Sequence, residues 1–325
     1  CEGFRSRVPQ TAFDVIFHAV VKYLVKDPEK KQEDLVNIAA PFSVTWNDRK
    51  EITRLLSQLG LKANLVPEFA TTEQFEILSE AAVTAPTCPS FADYIQKALY
   101  QKYDVPYFRS PVPIGLENTA NWLRNIAEHT GKEDEVEKLI EKEEAAVKPQ
   151  LDALRNRFNG SDIKLFINAG VGRALYLPVL ANELGLNVSG VSALEHDPLL
   201  AQDLERNVKA IGDYYVHIGE FQPFEQSAII DKLKPDVYVG CPFVGAVYKR
   251  ESGIARMHSF RSDWSPPGQQ FGYNGIISYG NLLYRILKNP SLTKKLAGRI
   301  KRPYKDWWYQ EADPLHYGRE VTTNV

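Results

Sequence analysis

Apolar residues at three- and four-residue steps open the chain. Phe13, Ile16, Phe17, Val20, Val21 and Leu24 share one face of a helix predicted over residues 11–25. The run Leu35-Val36-Asn37-Ile38-Ala39-Ala40 reads as a buried strand, and Asn47 as the cap of a helix reaching Leu59, with Gly60 as its stop. A second strand follows over 61–66, a short helix around 75–78, and a third strand over 81–85 that ends just before Cys88. Phe91, Ile95, Ala98 and Leu99 mark another helical face, and 105–108 a fourth strand. Strands alternating with helices imply a parallel sheet covered on both sides.

After a helix over 117–129, the segment 133–158 carries Val136, Leu139, Ile140, Val147, Leu151 and Leu154 on one stripe, with Pro149 expected to bend or break it. The alternation then restarts. Strands are predicted over 163–167, 186–191, 214–218, 237–239 and 254–257, with helices to Leu184 and over 198–211, 224–233 and 275–287. The expected fold is α/β, with two Rossmann-like parallel-sheet domains joined by a long helix, then a C-terminal helix and an aromatic tail. The predicted divisions are 1–130, which carries Cys88, a linking helix over 131–160, a second domain over 161–260, which carries His258, and a C-terminal helix and tail over 261–325. A length of 325 residues suits two such cores.

Composition removes several function classes. Hydrophobic residues at 44% and charged residues at 25% are ordinary for a globular chain, and a formal net charge of −2 argues against a broad nucleic-acid surface. No apolar run approaches the roughly 18 residues of a membrane span, and no signal peptide is apparent. Cys1, Cys88 and Cys241 are too widely spaced for a disulfide framework and fit a reducing cytoplasm. The opening Cys1-Glu2-Gly3-Phe4-Arg5, without Met, reads as the interior of something larger. Trp307, Trp308, Tyr309 and Tyr317 in the tail suit docking on a neighbouring surface.

Two residues at strand exits are the candidates for chemistry: Cys88 in Pro86-Thr87-Cys88-Pro89, and His258 in Ala255-Arg256-Met257-His258-Ser259-Phe260. A thiolate and an imidazole suit iron or a heavier metal, though either residue alone is more often a packing residue. A Cys–His nucleophile pair uses the same residue types, but no local motif for it is present. Gly170-x-Gly172 after a strand resembles half of a dinucleotide turn. The third fingerprint position holds Leu175, so Glu195 and Asp197 lack the rest of a ribose site and the turn reads as a plain strand–helix connection.

These stretches resemble the nitrogenase component 1 superfamily, in particular the α-type subunit of the molybdenum–iron protein. The resemblance is carried by residues 1–5, by Cys88 followed by Tyr94 and Lys102-Tyr103-Asp104-Val105-Pro106, by 156–170, and by Arg256-Met257-His258-Ser259-Phe260 continuing to Gly272-Tyr273-Asn274-Gly275. It implies a metallocluster of the nitrogenase cofactor type anchored at one end by Cys88 and at the other by His258. It also implies a homologous β-type subunit and an ATP-hydrolysing iron–sulfur protein as electron donor, while the charge, hydropathy and cysteine usage above point to a cytoplasmic protein with no nucleic-acid or membrane partner. Asp14, His196, Arg173 and Arg256 are candidates for supplying protons or surrounding the cluster. Ligands of the electron-relay cluster would lie upstream, outside this chain. Cys241 has no counterpart in the family.

Departures from the pattern bear on substrate. Where nitrogenases carry a glutamine and a histidine on the first helix, this chain has Pro9 or Gln10 and Phe13 or Asp14. The turn expected to carry an arginine reads Asn168-Ala169-Gly170-Val171, and a homocitrate-holding lysine falls near Phe243 or Val244. The resemblance therefore implies a reductase for a substrate other than dinitrogen, with methylthio-alkane reductase the first relative to name. An assembly scaffold of the same superfamily, a tetrapyrrole reductase subunit and a plain sugar-nucleotide enzyme are the alternatives.

Overall fold

The computed structural model describes residues 9–39, 44–159, 162–193, 196–219, 223–240, 253–256 and 269–289. Its first half is built on a parallel sheet of β1 (Gln32–Ala39), β2 (Lys62–Val66) and β3 (Ala81–Pro86), in the order β2-β1-β3. The apolar positions of β1 and β3 are almost fully buried, as expected for strands covered on both faces. Around them lie α1 (Pro9–Tyr23), α2 (Trp46–Gln58), the short α3 (Thr72–Glu76) with a 3₁₀ turn after it, α4 (Pro89–Tyr103) and α5 (Leu116–Thr130).

Three local expectations change here. The α2 cap is Thr45 rather than Asn47: the Thr45 hydroxyl accepts from the Asp48 N–H while the Asp48 carboxylate accepts from the Thr45 N–H, a capping box. The fourth strand over 105–108 contracts to a single parallel bridge between Thr84 and Tyr107. Pro106 has no N–H to donate to a ladder; its carbonyl takes the Thr84 N–H at 2.8 Å and pairing goes no further. In α6 (Glu133–Phe158), Pro149 is accommodated inside one continuous 26-residue helix. Ala145 and Pro149 both face solvent, so water can take the carbonyl that proline leaves unpaired.

The second sheet has the order β6-β5-β4-β7-β8 and is parallel throughout, built from β4 (Lys164–Ala169), β5 (Asn187–Ala193), β6 (Tyr215–Ile218), β7 (Val237–Gly240) and β8 (Gly253–Arg256). Counted from β4 this is the 3-2-1-4-5 order of a doubly wound sheet, whose direction reverses between β4 and β7. Its helices are α7 (Val171–Glu183), α8 (Ala201–Ile211) and α9 (Pro223–Leu233). The last helix described, α10 (Gly272–Lys288), packs on α6, α2, α5 and β8 and so touches elements of both halves. One large apolar cluster runs from Val36, Val83 and Trp122 through Leu139 and Leu154 of α6 to Leu175, Val239 and Ile276. No described helix is long and apolar enough to cross a membrane.

Candidate functional site

Cys88 is held by the exit of β3. The Thr87 N–H and hydroxyl both donate to the Ala39 carbonyl at the end of β1, at 3.1 and 2.9 Å, and the Trp122 indole N–H donates to the Pro86 carbonyl at 3.0 Å. Cys88 then becomes the N-cap of α4, extended at φ −150° and ψ 120°, with Pro89 as the first helical residue. Its sulfur makes no capping hydrogen bond to the helix, and the residue is 8% exposed. The electropositive N-terminus of a 15-residue helix thus surrounds the thiol and favours negative charge on it.

The start of α7 comes up against that sulfur. Helical backbone begins at Val171, capped by Gly170, so Gly172 and Arg173 belong to the first turn of a helix and not to a loop. A Cβ at Gly172 would stand 3.4 Å from Cys88 Sγ and 3.3 Å from Pro89 Cδ. Absence of a side chain there lets two helix N-termini approach. Arg173 follows, 9% exposed, with its Nε donating to Gln270 Oε1 at 2.9 Å and its guanidinium 5.9 Å from the centre of the Phe271 ring. Burial lowers its proton affinity, and the nearby charges of Cys88 and Asp48 oppose that fall. An arginine therefore does stand beside the cysteine, just past the turn in which the family resemblance led us to expect one. The Tyr279 hydroxyl, whose proton affinity burial raises and the Arg173 charge lowers, is buried without a hydrogen bond among the described residues.

A carboxylate from the other half of the chain completes this assembly. Asp48 accepts from the Thr45 hydroxyl and N–H, and its Oδ1 takes the N–H groups of Gln270 and Phe271 at 2.7 and 2.9 Å. Burial pushes the Asp48 carboxyl up, and these four donors pull it back. One turn on, Glu51 accepts from the N–H and side-chain amide of Asn274 at the start of α10, and Arg54 forks onto both Glu51 and Glu143 of α6 with four bonds of 2.7–2.8 Å. Neither Asp48 nor Gln270 was singled out in the sequence. The Thr45-x-x-Asp48 spacing signals the cap, but nothing local signals a partner 222 residues away.

The other candidates are spread more widely. Asp14 lies half-buried on α1, where burial and then the Asp93 charge raise its proton affinity and Lys97 opposes them. His196 is exposed and lies at the mouth of an apolar recess beside Asp197, whose carboxylate meets Arg109 at 3.1 Å. Arg109 also reaches Asp93 at 3.5 Å, so a line of charges joins α4 to the second sheet. Arg256 ends β8, where only its backbone is described. His258, Cys1, Cys241, Phe243, Val244 and the aromatic tail lie outside the described residues. Among the described residues no group of three or more His, Cys, Asp or Glu side chains converges as a metal site.

The chain is 23% identical over 298 residues to the nitrogenase molybdenum–iron protein alpha chain of Methanococcus maripaludis, covering 89% of this chain and 59% of that one. It is 23% identical over 269 residues to the nitrogenase iron–iron protein alpha chain of Rhodobacter capsulatus, covering 81% and 48%. With a polypeptide of the light-independent protochlorophyllide reductase of Jannaschia sp. (strain CCS1) it shares 22% identity over 336 residues, covering 94% and 58%. The chain thus spans about three-fifths or less of the length of these relatives. The solved structure of nitrogenase Cp1 at pH 5 superposes with a TM-score of 0.70 over 91% of this chain and 64% of that one, at 18% identity, a likeness of fold. The family model described as nitrogenase component 1 type oxidoreductase matches residues 1–288, and the chain belongs to that family.

Proposed function

We propose that this chain forms the core of a catalytic-type subunit of a nitrogenase-like reductase, in which Cys88 and His258 hold a metal–sulfur cluster by its two ends. The observation that carries the reading is the seat of Cys88: a thiol at one helix N-terminus, against a glycine in the first turn of a second, beside a desolvated arginine. A thiolate is the ordinary protein ligand of iron–sulfur clusters, and a cluster whose sulfides fill most metal valences needs few protein ligands. An anionic cluster also needs positive charge in a place where water cannot supply it, and Arg173 with the two helix ends meets that need. When bound, the cluster would supply low-potential electrons to the substrate.

The remaining roles are assigned to this chain's own groups. Cys88 anchors, Arg173 balances charge at the sulfur, and Gly172 leaves the sulfur uncovered. Asp14, with its raised proton affinity, is suited to hold a proton at the α1–α4 seam. His196 and Arg256 are assigned outer positions at the carboxyl edge of the second sheet, and His258 follows β8 by two residues. The divisions 1–130, 131–160, 161–260 and 261–325 place one proposed ligand on each sheet-bearing half. The partners are a homologous β-type subunit and an ATP-hydrolysing iron–sulfur protein, in the cytoplasm. The replacements at Pro9–Gln10 and Phe13–Asp14 favour a substrate other than dinitrogen.

A second reading, a tetrapyrrole reductase subunit, is favoured by the identity to the protochlorophyllide reductase polypeptide. An assembly scaffold, which holds a cofactor precursor and hands it on, is the third. Iron analysis and electron paramagnetic resonance on the full-length complex purified without oxygen separate them, with Cys88→Ala and His258→Ala alongside. The leading reading expects iron in the wild type and, in both variants, loss of the cofactor's share of it and of its resonance signal, with any upstream relay iron retained. A wild type without iron defeats it, and net transfer of metal to an acceptor protein selects the scaffold.

A further inference from the structure

The first turn of α7 has two sides. Gly172 faces Cys88, while Val171, one residue earlier, lines a recess of about 50 Å³ at the carboxyl ends of β5 and β6. Val171, Ala174, Val191 and Leu200 line it and are each 6% exposed or less, whereas Ile218 at its mouth is 48% exposed. Among the described residues two polar ones border it: His196, and Asp197 with its carboxylate engaged by Arg109. We infer that this recess binds a small apolar molecule of about two or three non-hydrogen atoms and serves as the waiting site for the substrate of the Cys88 centre; its role, though not its binding, rests on the function proposed above.

Three observations support that occupant. An engineered cavity of roughly 150 Å³ lined by aliphatic groups stays dry and accepts benzene's six carbons, so a recess one-third that size suits a guest of about two or three non-hydrogen atoms. Walls of valine, alanine and leucine offer no hydrogen bond to a polar guest, and among the described residues the carboxylate at the border, Asp197, is already paired, which disfavours a cation; His196, exposed at the mouth, is the described side chain left to meet an amide. The carboxyl edge of a parallel sheet is where such folds hold ligands, and here one helical turn has Val171 lining the recess and Gly172, the next residue, against the thiol.

Xenon, propane and acetamide are the probes, applied under pressure where needed to the full chain with methyl-labelled Val, Leu and Ile, followed by NMR. A guest of three non-hydrogen atoms binds at best with a Kd of about 1 mM. Expected are saturable shifts from xenon and propane at Val171, Val191, Leu204 and Ile218, and none from acetamide. Ala201→Trp, at the exposed start of α8, should weaken propane at least tenfold. Val216→Ala widens the mouth and should improve binding of n-butane at least threefold. Absence of saturable shifts, equal binding of acetamide, or indifference of both variants overturns the inference. Iron measured on the full-length complex separates the two proposals: propane binding without iron defeats the cluster and leaves the recess, and iron without propane binding does the reverse.

Discussion

Arg54→Leu tests the tie that joins α2, α6 and α10. In the wild type one guanidinium satisfies two carboxylates, Glu51 and Glu143, whose side chains are 4% and 9% exposed. Leucine leaves both charges facing each other with, among the described residues, Asn274 and Gln58 to hydrogen-bond them. Removing one partner of a buried pair costs about 3–5 kcal/mol; because Arg54 is itself about one-third exposed, water recovers part of this and about 2–3 kcal/mol is expected. That is a large share of a typical domain stability of about 5–15 kcal/mol. The assay is urea unfolding followed by far-ultraviolet circular dichroism, where the loss lowers the midpoint by about 1 M.

The pH dependence sharpens the test. Arg54 holds the Glu143 carboxyl below its usual range, so the wild type gains from this pair above that range and loses the gain as pH falls through it. Without Arg54, burial raises the carboxyl affinity for protons, and acid relieves the repulsion by neutralising it. The gap between variant and wild type should therefore shrink from pH 7 to pH 5. Arg54→Leu combined with Glu143→Leu should recover at least about 1 kcal/mol, since an apolar replacement of buried ions is often neutral. A loss below about 0.5 kcal/mol, or a gap that widens in acid, refutes the reasoning.

Other consequences can be measured directly. A Cβ at Gly280 would meet Leu154 and Leu184 methyls at 2.8 Å, so Gly280→Ala should lower stability by about 1–3 kcal/mol in the same unfolding assay. Burial pushes Glu183 up to about 7 although it accepts the Leu116 and Glu117 N–H groups. Its contribution is present below about 4.5 and fades as pH rises to about 7, by about 1–3 kcal/mol given partial solvent contact, and Glu183→Gln should flatten that decline. Unchanged slopes would show that the N–H donors prevail. Gly172→Val should keep the circular dichroism of the wild type and lose the resonance signal of the proposed Cys88-held cluster, because its branches would cover Cys88 Sγ; an unchanged signal would remove Gly172 from the site.

Much of the architecture follows from periodicity, and the exceptions have local causes. Phe13 to Leu24 and Val136 to Leu154 announce their helices because one face of each is buried over several turns. Residues 105–108 look like a strand by composition, yet proline at 106 removes the donor a ladder needs. Pro149 looks like a break, yet its face is wet. For the site, the place of Cys88 after a buried strand is readable locally. Its surroundings are not: Asp48, the pair Gly172-Arg173 and Gln270 come from three separate stretches, and only packing brings them within reach. Family resemblance supplied His258, which lies outside the described residues.

The bond from Asp48 to the backbone of Gln270 and Phe271 has a consequence for biosynthesis. A ribosome that has delivered both sheets has still not delivered the groups that settle Arg173 next to the thiol. The setting of the thiol is therefore finished only after both sheets are made, and a chain cut short before Gln270 would leave the Arg173 guanidinium without that partner.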